Sequence, residues 1–365
     1  NGVLEGSFTV SLINVNEVAT GLVTISGDLQ IGTDLSVSNS LADDDGLGPI
    51  VYQWYRDGQP IVFGGTLQSG LDGVDILSGA KSIKFSPNGG FAYVANVVVG
   101  NGDSIVGFEL DSRTGELDHI NTVNDWLSGA YSVTISPDGK HVYAPSSNQN
   151  SISWFEVNAS TGALNYEGIV IDGLAGVRGL GGPLRLTISA DGKILYVVAR
   201  NDRAISWFER NATDGSVSFL GLLKDNSDGV DGLNVPLSLT MSNDQKNIYV
   251  TGFGDDSISW FERNASSGAL TYLGIHKNGN NGVNELDGAY SSTISPDDLF
   301  VYVVSLLDNS VSWFERNASS GALSYRGMLK GGEGGVDGLD AANFIELSTD
   351  GKFAYISASG DNSVS

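Results

Sequence analysis

An all-β fold of repeated four-stranded units is what the sequence predicts, on three observations. Trp154, Trp207, Trp260 and Trp313 stand 53 residues apart inside near-identical phrases such as Ser257 to Leu270, SISWFERNASSGAL. Turn phrases opening at Ser86, Ser136, Ser189, Ser242, Ser295 and Ser348 keep the same beat after a first step of 50, as do Tyr93, Tyr143, Tyr196, Tyr249, Tyr302 and Tyr355. Short runs of strand formers separated by Gly, Asn and Asp fill the intervals, with no helical periodicity. A fixed period of this length marks a repeat architecture, and four antiparallel strands per period describe a propeller blade. Six inner hairpins are visible, at 80, 130, 183, 236, 289 and 342, and a blade built from 21 to 67 makes seven.

Residues 1–20 hold an alternating run, Phe8, Val10 and Leu12, that reads as one strand before a polar Asn-Val-Asn-Glu exit. This resembles the tail of a cadherin-like module of large bacterial surface proteins; the resemblance implies Asn14, Asn16 and Glu17 as Ca²⁺ ligands, and a plain polar linker is the alternative. Residues 21–66 contain, in order, Gly21 to Gly27, Gly32 to Leu35, Leu41 to Gly48 and Tyr52 to Ile61. That order is similar to the Ig-like tandem repeat of giant bacterial adhesins, although the second half of such a module is absent. The alternative is a divergent first blade, with the hairpin around Trp54 outside and Val23 to Ser26 as inner strand.

Blades fill residues 67–365. In the copy at 127–173, Tyr131 to Ser136, His141 to Ala144, Ser151 to Val157 and Leu164 to Ile169 are the four strands, and Gly162 sits in the third turn. Ile152 and Trp154 point to one face of the blade and Phe155 to the other, so neighbouring blades clamp both and the tryptophans are core. SPDGKHVYAP, SADGKILYVV, SNDQKNIYVT and SPDDLFVYVV carry a resemblance, over 71–365, to the YVTN-type propellers related to the lactonase family. The resemblance implies the propeller. Relatives that act on phosphorylated sugars imply cationic groups converging on a central pocket, whereas the recurrent rim of this chain is anionic. The last copy stops inside its third strand: either Ser7 to Val15 supplies a closing strand, or the chain is trimmed.

The chain has a net charge of −24, with 19 basic residues spread along it and no cysteine. That charge argues against nucleic acid and anionic membranes, no run reaches the length of a membrane span, and thiol or disulfide chemistry is excluded. An extracellular or bacterial cell-surface location is expected. On one rim, in-phase acids recur at Asp202, Asp255, Asp308 and Asp361 in the second turns, and at Asp75, Asp125, Asp231 and Asp337 in the connections between blades. Calcium is the expected cofactor, with Asn16, Glu17, Asp43, Asp44, Asp45, Asp228, Asp231, Asp255 and Asp308 as candidate ligands; turn capping is the competing role for each Asp. Asn158, Asn211, Asn264 and Asn317 open N-x-S/T triplets that turn geometry also explains. His119, His141 and His276 occupy unrelated repeat positions, so no catalytic residue is assigned.

The function expected from these features is structural and adhesive rather than enzymatic. A rigid disc would contact copies of itself, other surface proteins or carbohydrate, in a surface layer, biofilm matrix or filament. The near-identity of exposed turns motivates this, because a catalytic propeller varies its loops to build one pocket. A lactonase-like hydrolase and a Ca²⁺-dependent carbohydrate-binding module are the alternatives.

Overall fold

A computed structural model describes residues 8–12, 23–26, 36–39, 50–56, 59–60, 77, 79–98, 102–113 and 115–365. The chain divides into two units, Asn1–Thr66 and Leu67–Ser365. In the first, Ile50–Arg56 pairs with Phe8–Leu12 on one side and Gln59–Pro60 on the other, while Val23–Ser26 pairs with Ser36–Asn39. The described pairing thus differs from the one expected for a first blade, since Val23–Ser26 and the Ile50–Arg56 hairpin belong to separate sheets. Phe8–Leu12, within the segment offered as one of two ways to complete the last blade, pairs with Ile50–Arg56 in its own unit.

The second unit is the propeller. Its described residues form five four-stranded blades, 80–123, 134–171, 183–224, 236–277, 289–330, and a sixth of three strands, 342–364. Each blade is an antiparallel meander whose first strand lies innermost, and consecutive first strands stand side by side. Among the described residues the one helix is a single turn at Phe253–Asp255, and none is long and apolar enough to cross a membrane.

The core lies between blades, as the alternation of the third strand predicts. Ile152 and Trp154 pack with Leu180, Leu195 and Phe208 of blade 3, whereas Phe155 packs with Phe91 and Tyr93 of blade 1. Trp154, Trp207 and Trp260 are each 8% exposed. Each indole packs against a glycine of the fourth strand: a Cβ on Gly168 would come within 2.3 Å of Trp154. Blade 1 exchanges both sizes at once, with Gly107 in the indole's place and Asn121 in the glycine's. The Asn121 side chain then bonds both backbone groups of Leu164 in blade 2.

A polar latch repeats beside this apolar packing. Tyr93, Tyr143, Tyr196 and Tyr249 are fully buried, and each hydroxyl donates to the carbonyl of the third-turn glycine of the next blade, Gly162, Gly215, Gly268 and Gly321, at 2.8 to 2.9 Å. Arg210, Arg263 and Arg316 close the third strands of blades 3 to 5 and donate through Nε to the tyrosine of the preceding blade at 2.8 to 2.9 Å. Arg210 also reaches Asp138 at 3.0 Å, and Arg316 reaches Asp244 at 2.8 Å, each across the same boundary. Burial alone would push Asp244 up, but bonds from Ser242, Arg316 and the Lys246 amide, with the Arg316 charge, hold it at about 2.

Two outcomes follow from the latch. Arg316→Ala removes a buried guanidinium, while Asp244 keeps Ser242 and the Lys246 amide and Tyr249 keeps the Gly321 carbonyl. It is expected to cost about 1.5–3 kcal/mol in urea unfolding, whereas Lys352→Ala, in an exposed pair, costs within about 1 kcal/mol. The second concerns His141, whose Nδ1 lies 2.8 Å from Arg210 Nη2. Burial and then the Arg210 charge pull its imidazole below 6.5, against Asp138, Glu156 and Asp214. The unfolded chain therefore takes up this proton first as pH falls, so the stability it contributes is whole above pH 6.5 and declines below it, towards the lowered folded value. Unfolding midpoints compared at about pH 7.5 and about pH 5.5 should fall less in His141→Asn, which copies Asn247 two latches further on, than in the native chain.

Candidate functional site

The site is built by an irregularity in the innermost strands. Ladder register slips by one residue between Ala80 and Ser82, Pro183 and Arg185, Pro236 and Ser238, Ala289 and Ser291, and Ala342 and Phe344. Each slip is a β-bulge, which leaves one residue unpaired and re-aims the side chains around it. The extra residues are Lys81, Leu184, Leu237, Tyr290 and Asn343, and all five line one cavity of about 650 Å³. Tyr131 lines it from blade 2, so each of the six described blades contributes and the cavity lies where their first strands converge.

Its chemistry inverts that of the whole chain. Lys81, Lys84, Arg185 and Arg200 line it with the hydroxyls of Ser82, Tyr131, Tyr290 and Ser357 and the amide of Asn343, and among the described residues no carboxylate or imidazole does. Among the described residues none of the four cations takes part in an ion pair. Arg185 sits with its guanidinium carbon 5.9 Å from the centre of the Phe344 ring, in cation–π range across the cavity. Burial pulls Arg185 below the ordinary arginine value, opposed by Tyr290. Arg200 follows the second strand of blade 3, and its backbone N–H is tied to Gly182 O at 3.0 Å. Such a surface fits a ligand bearing one or more anionic oxygens, since a partly desolvated guanidinium without a counter-ion is electrostatically incomplete.

The acids singled out from the sequence are engaged differently. Asp202, Asp255, Asp308 and Asp361 each accept a backbone N–H from the preceding interblade connection, at Gly181, Asn234, Asp287 and Asp340, over 2.7 to 2.9 Å. The in-phase aspartates thus cap loops, the competing role. Asp231 and Asp255 do come together, with Asp225, which the sequence reading missed, within 4.8 Å of one another. Lys277 Nζ already lies 2.8 Å from Asp231 and 3.6 Å from Asp255, while Asp225 accepts the Leu233 N–H at 3.1 Å. The protein supplies its own cation to this cluster. Asp308 pairs with Lys330 at 3.5 Å, and Asp228 stands exposed on a left-handed turn away from the group. Asn16, Glu17, Asp43, Asp44 and Asp45 lie outside the described residues. Asp287 is pushed up by burial and by the charges of Asp256 and Asp308, which makes the rim a crowded anionic surface around a cationic centre.

Comparison with known proteins bears on both fold and function. Residues 65–173, 177–282 and 238–365 match the family described as lactonase, seven-bladed beta-propeller. An uncharacterized protein of Staphylococcus aureus is 25% identical over 235 residues, covering 61% of this chain, which in turn spans 65% of that relative. A candidate 6-phosphogluconolactonase from Bacteroides fragilis superposes with a TM-score of 0.66 at 19% identity, covering 86% of this chain and 85% of its own. The periplasmic gluconolactonase of Pseudomonas aeruginosa gives 0.58 at 20% identity over 68% and 69%. At these identities the solved structures speak for the fold alone. The resemblance of residues 1–66 to adhesin modules finds no support in these matches. The expectation of an adhesive, non-enzymatic matrix or filament protein is corrected on the same ground, because the match runs through a family named for an enzyme and the ring encloses a cavity the loops did not reveal. By the match of its blades, the chain belongs to the lactonase family of seven-bladed beta-propellers.

Proposed function

We propose that this propeller is a lactone hydrolase whose substrate is the lactone of an anionic sugar acid, opened by water in the axial cavity. The observation that carries the reading is the gathering of Lys81, Lys84, Arg185 and Arg200, without a carboxylate, at the centre of a chain whose net charge is −24. Low-dielectric walls concentrate such a local field, so an anion is drawn to the axis although the molecule as a whole repels it. The name of the Bacteroides fragilis neighbour, a candidate 6-phosphogluconolactonase, supports a phosphorylated six-carbon sugar acid as the first substrate to try.

The chemistry suits these residues. Water adds to the lactone carbonyl, forming one C–O bond and placing negative charge on the former carbonyl oxygen. The C–O bond to the ring oxygen then breaks, that oxygen leaves with a proton as a hydroxyl, and the product is an open carboxylate with one proton released. Charge grows at the carbonyl oxygen, where the guanidinium of Arg185, with Arg200 beside it, offers prepaid electrostatic stabilisation. Arg185 is held against Phe344 and so loses little freedom on binding. Lys81 and Lys84 meet the distal anion, and Tyr131, Tyr290 and Asn343 offer hydrogen bonds to sugar hydroxyls. Among the described residues the lining holds amine and phenol groups, and proton transfer runs through water and these.

Lactone opening is followed by proton release at neutral pH on 6-phosphogluconolactone and on uncharged gluconolactone. The reading predicts a preference for the phosphorylated substrate that shrinks as salt rises. Arg185→Ala is expected to lower kcat/KM by about 100-fold, and Arg185→Lys to restore part of it. Turnover that is indifferent to Arg185, or no preference for the charged lactone, would overturn the reading.

A further inference from the structure

Four turns of the propeller carry a five-residue phrase that folding uses only in part. Glu156 to Ser160 reads EVNAS, and Glu209 to Thr213, Glu262 to Ser266 and Glu315 to Ser319 repeat it across the end of the third strand and the turn that follows. Asn158, Asn211, Asn264 and Asn317 are exposed, and the Oδ1 of each accepts the backbone N–H two residues further on, at 2.9 to 3.0 Å, closing an Asx turn. That task needs an acceptor oxygen and nothing more. In blade 1 Asp111 performs it, its Oδ1 taking the Arg113 N–H at 2.8 Å while the Gly115 N–H closes on Asp111 O at 2.7 Å, as the Gly162 N–H does on Asn158 O at 2.8 Å. The turn thus explains an oxygen at this position and leaves the choice of asparagine open.

The groups the fold leaves idle form one chemical set. Among the described residues no hydrogen bond uses the Nδ2 of the four asparagines or the hydroxyl of Ser160, Thr213, Ser266 or Ser319. In blade 1 the two disappear together, since Asp111 has no amide and Arg113 no hydroxyl. An amide nitrogen with a hydroxyl two residues later is the pair by which an N-glycosylation acceptor is read, and Ala at the middle position satisfies the exclusion of proline. The glutamate two residues upstream meets the further demand of oligosaccharyltransferases that read a carboxylate there; Glu156, Glu209 and Glu262 are exposed and enter no ion pair among the described residues, while Glu315 is held by Arg326.

We propose that Asn158, Asn211, Asn264 and Asn317 are acceptors for an N-linked oligosaccharide, one on the third turn of each of blades 2 to 5. Nδ2 forms a C–N bond to the anomeric carbon of a sugar carried on a polyprenyl pyrophosphate; the anomeric C–O bond breaks, the polyprenyl pyrophosphate leaves with the electron pair, and the amide gives one proton to solvent. Strands alternate in direction, so these turns stand at the rim opposite the bulged starts of the first strands, and glycans there leave Lys81 and Arg185 clear. The proposal is independent of the reaction assigned to the cavity.

The test is export of the full chain in a bacterial host that carries an oligosaccharyltransferase of this kind with its lipid-linked glycan, read by intact mass and glycopeptide mapping beside a control acceptor protein in the same cells. Whole-glycan mass increments are expected, mapping to the four asparagines. Asn264→Asp and Ser266→Ala should each lose the glycan at position 264 alone, and without glycan each should melt within about 1 °C of the native chain. A modified control with none of the four asparagines occupied would overturn the proposal. A fall of several degrees in Ser266→Ala would do the same, by giving the hydroxyl a structural task.

Discussion

The contact between consecutive blades is the constraint on which everything else rests. A four-stranded sheet with apolar side chains on both faces is not stable alone; it needs a neighbour on each side. Here the third strand sends an indole one way and a phenyl the other, and the latch of tyrosine, arginine and glycine carbonyl sets the angle at which the next sheet is received. The arginine is costly to bury and is tolerated because its Nε finds the tyrosine hydroxyl and its Nη1 a turn carbonyl in each copy.

That angular control places the functional cavity. Six innermost strands meet at the axis only because the wedges repeat, and the bulge in five of them then adds one side chain each to the lining. Repetition supplies the frame, and the bulge positions supply variety: Lys, Leu, Leu, Tyr and Asn at five equivalent places. The acids of the rim are largely occupied in holding loops, which leaves the axial cations as the region of unsatisfied charge.

The blade was legible in the sequence because its period, its turn glycines and its strand alternation are all local signals that recur. The side-chain directions of Ile152, Trp154 and Phe155 could be read from the pleat alone. The cavity was not legible for the opposite reason. Lys81, Arg185 and Arg200 each occur once, at positions that are otherwise uncharged (Tyr, Leu, Asn, Ser, Phe or Val), so a search for recurring charge finds the rim and passes over the centre. The bulges compound this by breaking the two-residue alternation just where the strands line the cavity. One signal was available: within copies that are otherwise nearly identical, the start of the first strand is where the residues differ most. The Lys277 ammonium inside the Asp225, Asp231 and Asp255 group comes from the adjoining fourth strand, and strand-to-loop proximity of that kind has no signature in spacing.

The most direct measurement is a crystal structure of the chain soaked with 6-phosphogluconate, the anion such a hydrolysis would release. The account predicts the sugar acid on the axis, with an anionic oxygen within hydrogen-bond distance of Arg185 and the innermost strands of blades 3 and 6 on either side. Occupancy at the acidic rim or on the outer strands, with the axial cavity holding only solvent, would contradict it.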